Sequence, residues 1–338
     1  MLDVRQISVK QAFDVFEERL RLAPGERARA EASHNAMTVY LITGGVAVAT
    51  FLQGSFRRKT MRRPLRDIDK VVILPDALRA TLFSSAAGPD RATDLLQEVI
   101  TRHYPSAAFE RSRHALKVTL ASQKFTFDLV PAFEKVGSDG DVLIANRDTG
   151  GWDPSNTRAL IRTVAQRNQD CGGRFVQQVR MAKEWASRVA ESHSVVFPGL
   201  HVESLAYLAI TETLDHPLAC ARFFEAGSRA LLGSYTDLTG VDVVSQKLKG
   251  STAAVMTAAC GESAIQARRA VTCAAAGDHD AAAHIWHGLF GDAFPTPSRP
   301  AEAAALGAAF AGGSVVEGAV TPSRTGPQVM RPTRAWRP

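Results

Sequence analysis

Residues 53–74 read QGSFRRKTMRRPLRDIDKVVIL, and the acidic strand at their end decides the fold. A strand repeats every two residues, so Asp67 and Asp69 project from one face while Ile68 points into the opposite packing layer. The VVIL run that follows marks this as a buried strand rather than a solvated loop. Two carboxylates this close repel each other, so a cationic partner is expected between them. Mg²⁺ fits, with Mn²⁺ as an alternative, because it takes hard oxygen ligands and typically shares one or two protein carboxylates with phosphate groups.

Just upstream, Gly54 and Ser55 predict a tight turn whose backbone N–H groups and hydroxyl face a phosphate. Arg57, Arg58, Lys59, Arg62, Arg63 and Arg66 add a dense positive field between turn and strand. Charge runs of this kind commonly form a solvated face, and the position of Arg66 next to the carboxylates singles it out for phosphate contact. A third carboxylate lies in FTFDLVPAF (125–133), where Phe125, Phe127 and Leu129 share one strand face and Thr126, Asp128 and Val130 the other. If neighbouring strands bring Asp128 beside Asp67 and Asp69, the three can hold two metal ions for in-line displacement at a phosphate.

The order GS, then DID, then a later strand Asp resembles the polymerase-β-type nucleotidyltransferase superfamily. Within it, the chain is most similar to the bacterial cyclic GMP-AMP synthase-like enzymes, the CD-NTases or SMODS nucleotidyltransferases. RFVQQVRMAKEWASR (174–188) resembles the helix with a Lys-x-Trp element. FPGLHVESL (197–205) resembles the Pro-Ser-aromatic-His-Leu-Glu segment, and AAAHIWHGLFGDAFP (281–295) the terminal helix ending in Trp, Phe-Gly and Phe-Pro. The likeness spans roughly residues 40–297. It departs at Gly199, where relatives carry Ser, and at Leu238 in TDLTG, where they carry Pro.

The resemblance implies an α+β fold: a polymerase-β-like sheet domain plus an all-helical C-terminal lobe, with a cleft between them. It also implies template-independent synthesis of cyclic di- or trinucleotides from NTPs with release of pyrophosphate, in CBASS-type antiphage signalling. In that reading Asp67, Asp69 and Asp128 are the catalytic metal ligands, and Gly54, Ser55, Arg66 and Lys183 contact nucleotide. Two other readings stay open: a terminal nucleotidyltransferase acting on RNA, tRNA or protein, and a catalytically silent nucleotide-binding scaffold.

The whole chain is consistent with such a protein. Its 338 residues suffice for two domains, and 45% hydrophobic with 22% charged residues is an ordinary globular composition. Much of the net charge of +6 is local to residues 57–66, which favours an anionic ligand there over a basic coat for long duplexes. Cys171, Cys220, Cys260 and Cys273 lack zinc-module spacing and read as reduced thiols. No duplex-DNA requirement is expected, because animal relatives that sense DNA carry a metal insertion absent here. The N-terminus has no apolar leader region, and no run approaches the roughly 20 apolar residues of a spanning helix, so a cytoplasmic protein without membrane association is expected.

Helix spacing of Phe13, Phe16 and Leu20 after Ser8, and strand patterns at about 67–74, 107–121 and 124–131 around a helix near 90–102, predict a sheet domain over 1–150. Beyond Trp152 the periodicity turns helical, predicting a helical lobe over 151–311 with a break at Gly172-Gly173 and separate helices at 241–258 and 261–276. Residues 312–338, rich in Gly, Pro, Ser, Thr and Arg, predict a disordered tail through which regulatory proteins could dock. Lys183 borders an apolar helix line, which alone predicts snorkelling; Trp185 reads as packing, Glu203 as a polar contact in the lobe, and the histidines at 279, 284 and 287 lack compact ligand spacing.

Overall fold

The computed structural model describes residues 7–138 and 140–295; the tail at 312–338 lies outside the described residues. The chain opens with α1 (Val9–Leu20), capped as its sequence predicts: the Ser8 hydroxyl accepts from the Gln11 N–H, and the Gln11 side chain returns to the Ser8 N–H. Next come α2 (Pro24–Thr43), β1 (Ala49–Leu52), α3 (Gly54–Arg58), β2 (Asp67–Ile73), α4 (Arg79–Phe83) and α5 (Gly88–His103). Five strands follow: β3 (Ala108–Arg111), β4 (Leu116–Thr119), β5 (Thr126–Glu134), β6 (Val142–Asn146) and β7 (Gly151–Ser155). The second half is helical: α6 (Thr157–Asp170), α7 (Phe175–Ser192), α8 (Gly199–Ala209), α9 (His216–Ala230), α10 (Gly250–Ala275) and α11 (His279–Phe290).

The strands form one sheet in the order β1-β2-β5-β4-β3, with β6 and β7 added beside the far end of β5. Among the described residues only β2 and β5 run parallel. One sheet face, carrying Ile68, Val72, Phe127 and Leu129, is buried with Met37 and Leu41 of α2 and Leu96 and Ile100 of α5. Lys70 lies on that face wholly buried; its Nζ donates to the His34 carbonyl (2.8 Å) and the Thr38 hydroxyl (2.5 Å), fastening α2 to the acidic strand. The opposite face holds a small apolar group, Val71, Ile73, Ala132 and Val142, and leaves the acidic end of the strands free of apolar cover.

Three features depart from the sequence-based expectations. Strands β1, β6 and β7 have mixed, partly exposed faces and therefore little alternation to read. Gly261 does not divide α10: a mid-helix glycine costs about 1 kcal/mol, and burial of Met256, Cys260, Ala264 and Ala267 overrides it. The apolar face of α1, including Phe13 and Phe16, packs into the helical core with Phe175, Trp286, Phe290 and Phe294, so the first helix belongs by packing to the second half. Among the described residues no helix is long and apolar enough to cross a membrane.

Candidate active site

The parallel pairing of β2 with β5 sets Asp69 directly beside Asp128 and Asp67 beside Thr126. All three aspartates lie on the face opposite Ile68 and Phe127, because both strands alternate in step. The cross-strand row continues from Asp128 to Lys117 on β4 and Glu110 on β3, neither of which the sequence marks. Burial first, then the charges of Asp67 and Asp128, push the Asp69 carboxyl up to about 6 against the opposing pull of Arg58 and Lys183. Burial likewise raises Asp128, with Lys117 opposing and Asp67 and Glu110 adding.

Gly54 explains how Asp69 is held. Its φ is +65°, and a Cβ there would lie 1.6 Å from Asp69 Oδ2, so only glycine lets the carboxylate rest against the backbone. The predicted phosphate turn is the first turn of α3, with Gly54 and Ser55 at its start. Gly54→Ala should therefore displace Asp69 and strain the backbone by about 1–3 kcal/mol. Transfer should fall by about 100-fold, the usual cost of moving a reacting group by an ångström, measured as initial rate beside a thermal melt.

The three-carboxylate metal site expected from the sequence is not formed as a set. Among the described residues no three His, Cys, Asp or Glu side chains converge closely enough to hold a metal ion. Mg²⁺, however, needs only one or two protein carboxylates when phosphates and water supply the remaining oxygens. Asp67 and Asp69 meet that need on one strand. The Asp128 Oδ1 atom is buried with no protein partner among the described residues, as suits an oxygen reserved for a cation or a hydroxyl.

Across the cleft, α7 and α8 contribute Lys183 and Glu203. Glu203 is 1% exposed and accepts from Arg58 Nε (2.7 Å), the Thr60 hydroxyl (2.6 Å) and Lys183 Nζ (2.6 Å). Burial would raise this carboxyl, but Lys183 and Arg58 outweigh it and hold it at about 2. Burial pulls Lys183 down even against Glu203. One carboxylate is shared by two cations, both of which also act on Asp69, while Asp67 acts on Lys183.

Lys183 lines a cavity of about 130 Å³ with Ser55, Arg66 and Asp67. It also lines one of about 470 Å³ with Arg62, Ser187, Phe197 and Gly199. Lys183 is therefore a buried, paired cation at the cleft rather than a snorkelling one. Arg66 and Arg62 both line the two cavities, and Arg62 in addition pairs with Glu184 at 2.5 Å. A side chain at Gly199 would stand 3.4 Å from Lys183 Nζ, ordinary contact, so the missing Ser hydroxyl is an absence and not a steric demand.

Trp185 is packing, as its sequence indicates: it is buried and donates to the Ser263 hydroxyl at 3.0 Å. Glu203, Arg58 and Thr60 were not marked as one unit by the sequence. The available signal was a carboxylate in the apolar run HVESLAYLA, which cannot be buried without cations.

Comparison with known proteins agrees with this geometry. Residues 7–168 match the Second Messenger Oligonucleotide or Dinucleotide Synthetase (SMODS) domain. The chain is 22% identical over 271 residues to a probable cyclic nucleotide synthase of Bacillus cereus (strain VD146), covering 72% of this chain and 81% of that protein. It is also 22% identical over 324 residues to a probable cyclic AMP-AMP-GMP nucleotide synthase of Salmonella paratyphi B, covering 75% of this chain and 82% of the relative. In fold it is similar to CdnC of E. coli MS115-1, solved with ATP, at a TM-score of 0.69 and 17% identity, covering 86% of this chain and 100% of CdnC. Residues 7–168 thus form a SMODS domain on a polymerase-β-like sheet with a helical lobe beside its acidic strands, and the chain is a nucleotidyltransferase similar to the cGAS-like CD-NTases.

Proposed function

We propose that the protein joins NTPs into a cyclic di- or trinucleotide without a template, releasing pyrophosphate, as a cytoplasmic synthase of CBASS-type antiphage signalling. The observation that carries this reading is the register of β2 and β5, which puts Asp69 and Asp128 side by side next to Asp67, which shares a cavity lining with Lys183. Its cyclic nucleotide synthase relatives support the product class.

Asp67 and Asp69 would hold Mg²⁺ or Mn²⁺ on the donor triphosphate, where the ion supplies charge neutralisation and a more acidic acceptor hydroxyl when bound. Gly54 and Ser55, at the start of α3, present backbone N–H groups to the terminal phosphates. Lys183 and Arg66 take up the charge that develops on the leaving pyrophosphate. Asp128 accepts the proton of the acceptor ribose hydroxyl through its unpartnered oxygen. A second transfer in the same cleft closes the ring.

The pure protein incubated with labelled ATP, GTP, CTP and UTP and Mg²⁺ should yield small phosphatase-resistant products identified by mass spectrometry. Elongated RNA, formed only when RNA is added, would instead assign a terminal transferase. Nucleotide binding without turnover under Mg²⁺ or Mn²⁺ would assign a scaffold. Docking of regulatory proteins through residues 312–338 belongs to the same proposal, and those residues lie outside the described part of the chain.

A further inference from the structure

The cavity of about 470 Å³ changes character along its length. Its inner end is the cationic wall of Arg62, Arg66 and Lys183, shared with the smaller cavity that holds Ser55 and Asp67. Its outer end is formed by Ser187 and Glu191 of α7 and by Val195 and Phe197 of the loop that follows. Lys183, Ser187 and Glu191 recur every four residues, so they share one helix face, and about 12 Å of helix separates the first from the last.

The outer end does not suit phosphate. Glu191 is exposed and acidic, and Val195 and Phe197 are half-buried apolar surface. Such a lining repels a fourth phosphate and gains from covering a neutral apolar group. Its aromatic wall is fixed: the Phe197 ring lies nearly parallel to that of His201 with centroids 5.6 Å apart, and His201 Nδ1 is hydrogen-bonded to the Tyr235 hydroxyl at 2.7 Å. Gly199 keeps the two ends in communication. A Cβ there would stand 3.4 Å from both Cε and Nζ of Lys183, so a larger side chain would lie over the ammonium between the ends, and glycine leaves that side of it open.

We infer that this outer end is a subsite for a neutral apolar group, aromatic above all, esterified to the terminal phosphate of the bound nucleotide. The inference rests on the nucleotide reading of the cleft and extends it past the third phosphate. With the α-phosphate at Asp67 and Asp69 and the terminal phosphates at Ser55, Arg66 and Lys183, the substituent leaves the γ-phosphate beside Gly199 and lies against Phe197. The transfer step keeps its balance. The acceptor oxygen bonds to the α-phosphorus, the bond from that phosphorus to the bridging oxygen breaks, the hydroxyl proton passes to Asp128, and the substituent departs on the pyrophosphate.

The test measures binding alone, on the full chain with Mg²⁺, using nucleoside triphosphates whose α–β bridge is a methylene and cannot be cleaved. Calorimetry with the four bases identifies an analogue that binds, and its γ-phenyl and γ-methyl esters, equal in charge, are then compared. The phenyl ester should bind about tenfold more tightly than the methyl ester. Ser187→Trp, which fills the outer end from α7, should cut that ratio to about twofold or less while affinity for the unesterified analogue stays within about twofold. If circular dichroism shows that this variant does not fold, Phe197→Ala decides, with the same loss of ratio expected. A phenyl ester that binds no more tightly than the methyl ester, or a ratio unchanged in the folded variant, overturns the subsite and leaves the nucleotide reading standing. Failure of all four unesterified analogues to bind overturns that reading and the subsite with it.

Discussion

The double variant Asp67→Ala with Asp69→Ala is expected to lose nucleotidyl transfer altogether, a fall of at least roughly 10⁴-fold in rate. Both carboxylates sit on the sheet face that also carries Asp128, and Asp67 lines the cavity that Lys183 lines. A structural role would predict loss of stability alongside loss of activity, and here the opposite should hold. Asp69 is buried among Asp67 and Asp128, which disfavour its charge. Asp69→Asn alone should thus melt above the wild type in buffer with a chelator while its transfer rate collapses. Undiminished synthesis by the pure double variant would remove the site from the mechanism.

Glu203→Ala should be the most destabilising single change near the cleft. It leaves Arg58 and Lys183 buried without their anion, and breaking such a pair from one side costs about 3–5 kcal/mol. Glu203→Gln keeps the shape and the Thr60 contact but not the charge, so it should lose less stability. Its transfer should still drop by about tenfold or more, because Lys183 and the end of α3 are no longer fixed against each other.

Acid separates the two roles further. The Glu203 carboxyl is held at about 2 in the folded chain against 4.5 for the free group, so its stabilisation is complete above about pH 4.5 and lost as pH falls toward 2. Chemical denaturation between pH 6 and 3 should show a loss in the wild type that Glu203→Gln lacks. Parallel curves for the two proteins would deny Glu203 its charge-holding role.

The acidic strand was legible because its two requirements coincide in seven residues: alternation puts Asp67 and Asp69 on one side, and the apolar VVI continuation buries the other. The second strand was legible for the same reason, since the phenylalanines flanking Asp128 could only face a core. Helix starts with side-chain caps, such as Ser8 before α1, could be read locally. The short strands β1, β6 and β7 could not, because their partners and not their own pattern make them strands.

By itself the sequence determined the face on which each aspartate lies, the helical character of the second half and the family resemblance, all of which follow from local periodicity and short motifs. Tertiary structure alone decided which aspartate stands beside which, that α1 joins the helical core, and that Glu203 holds Arg58 and Lys183 together from 145 and 20 residues away. Strand register and buried charge balance depend on groups far apart in the chain, and the energy that selects them exists only once those groups have left water together.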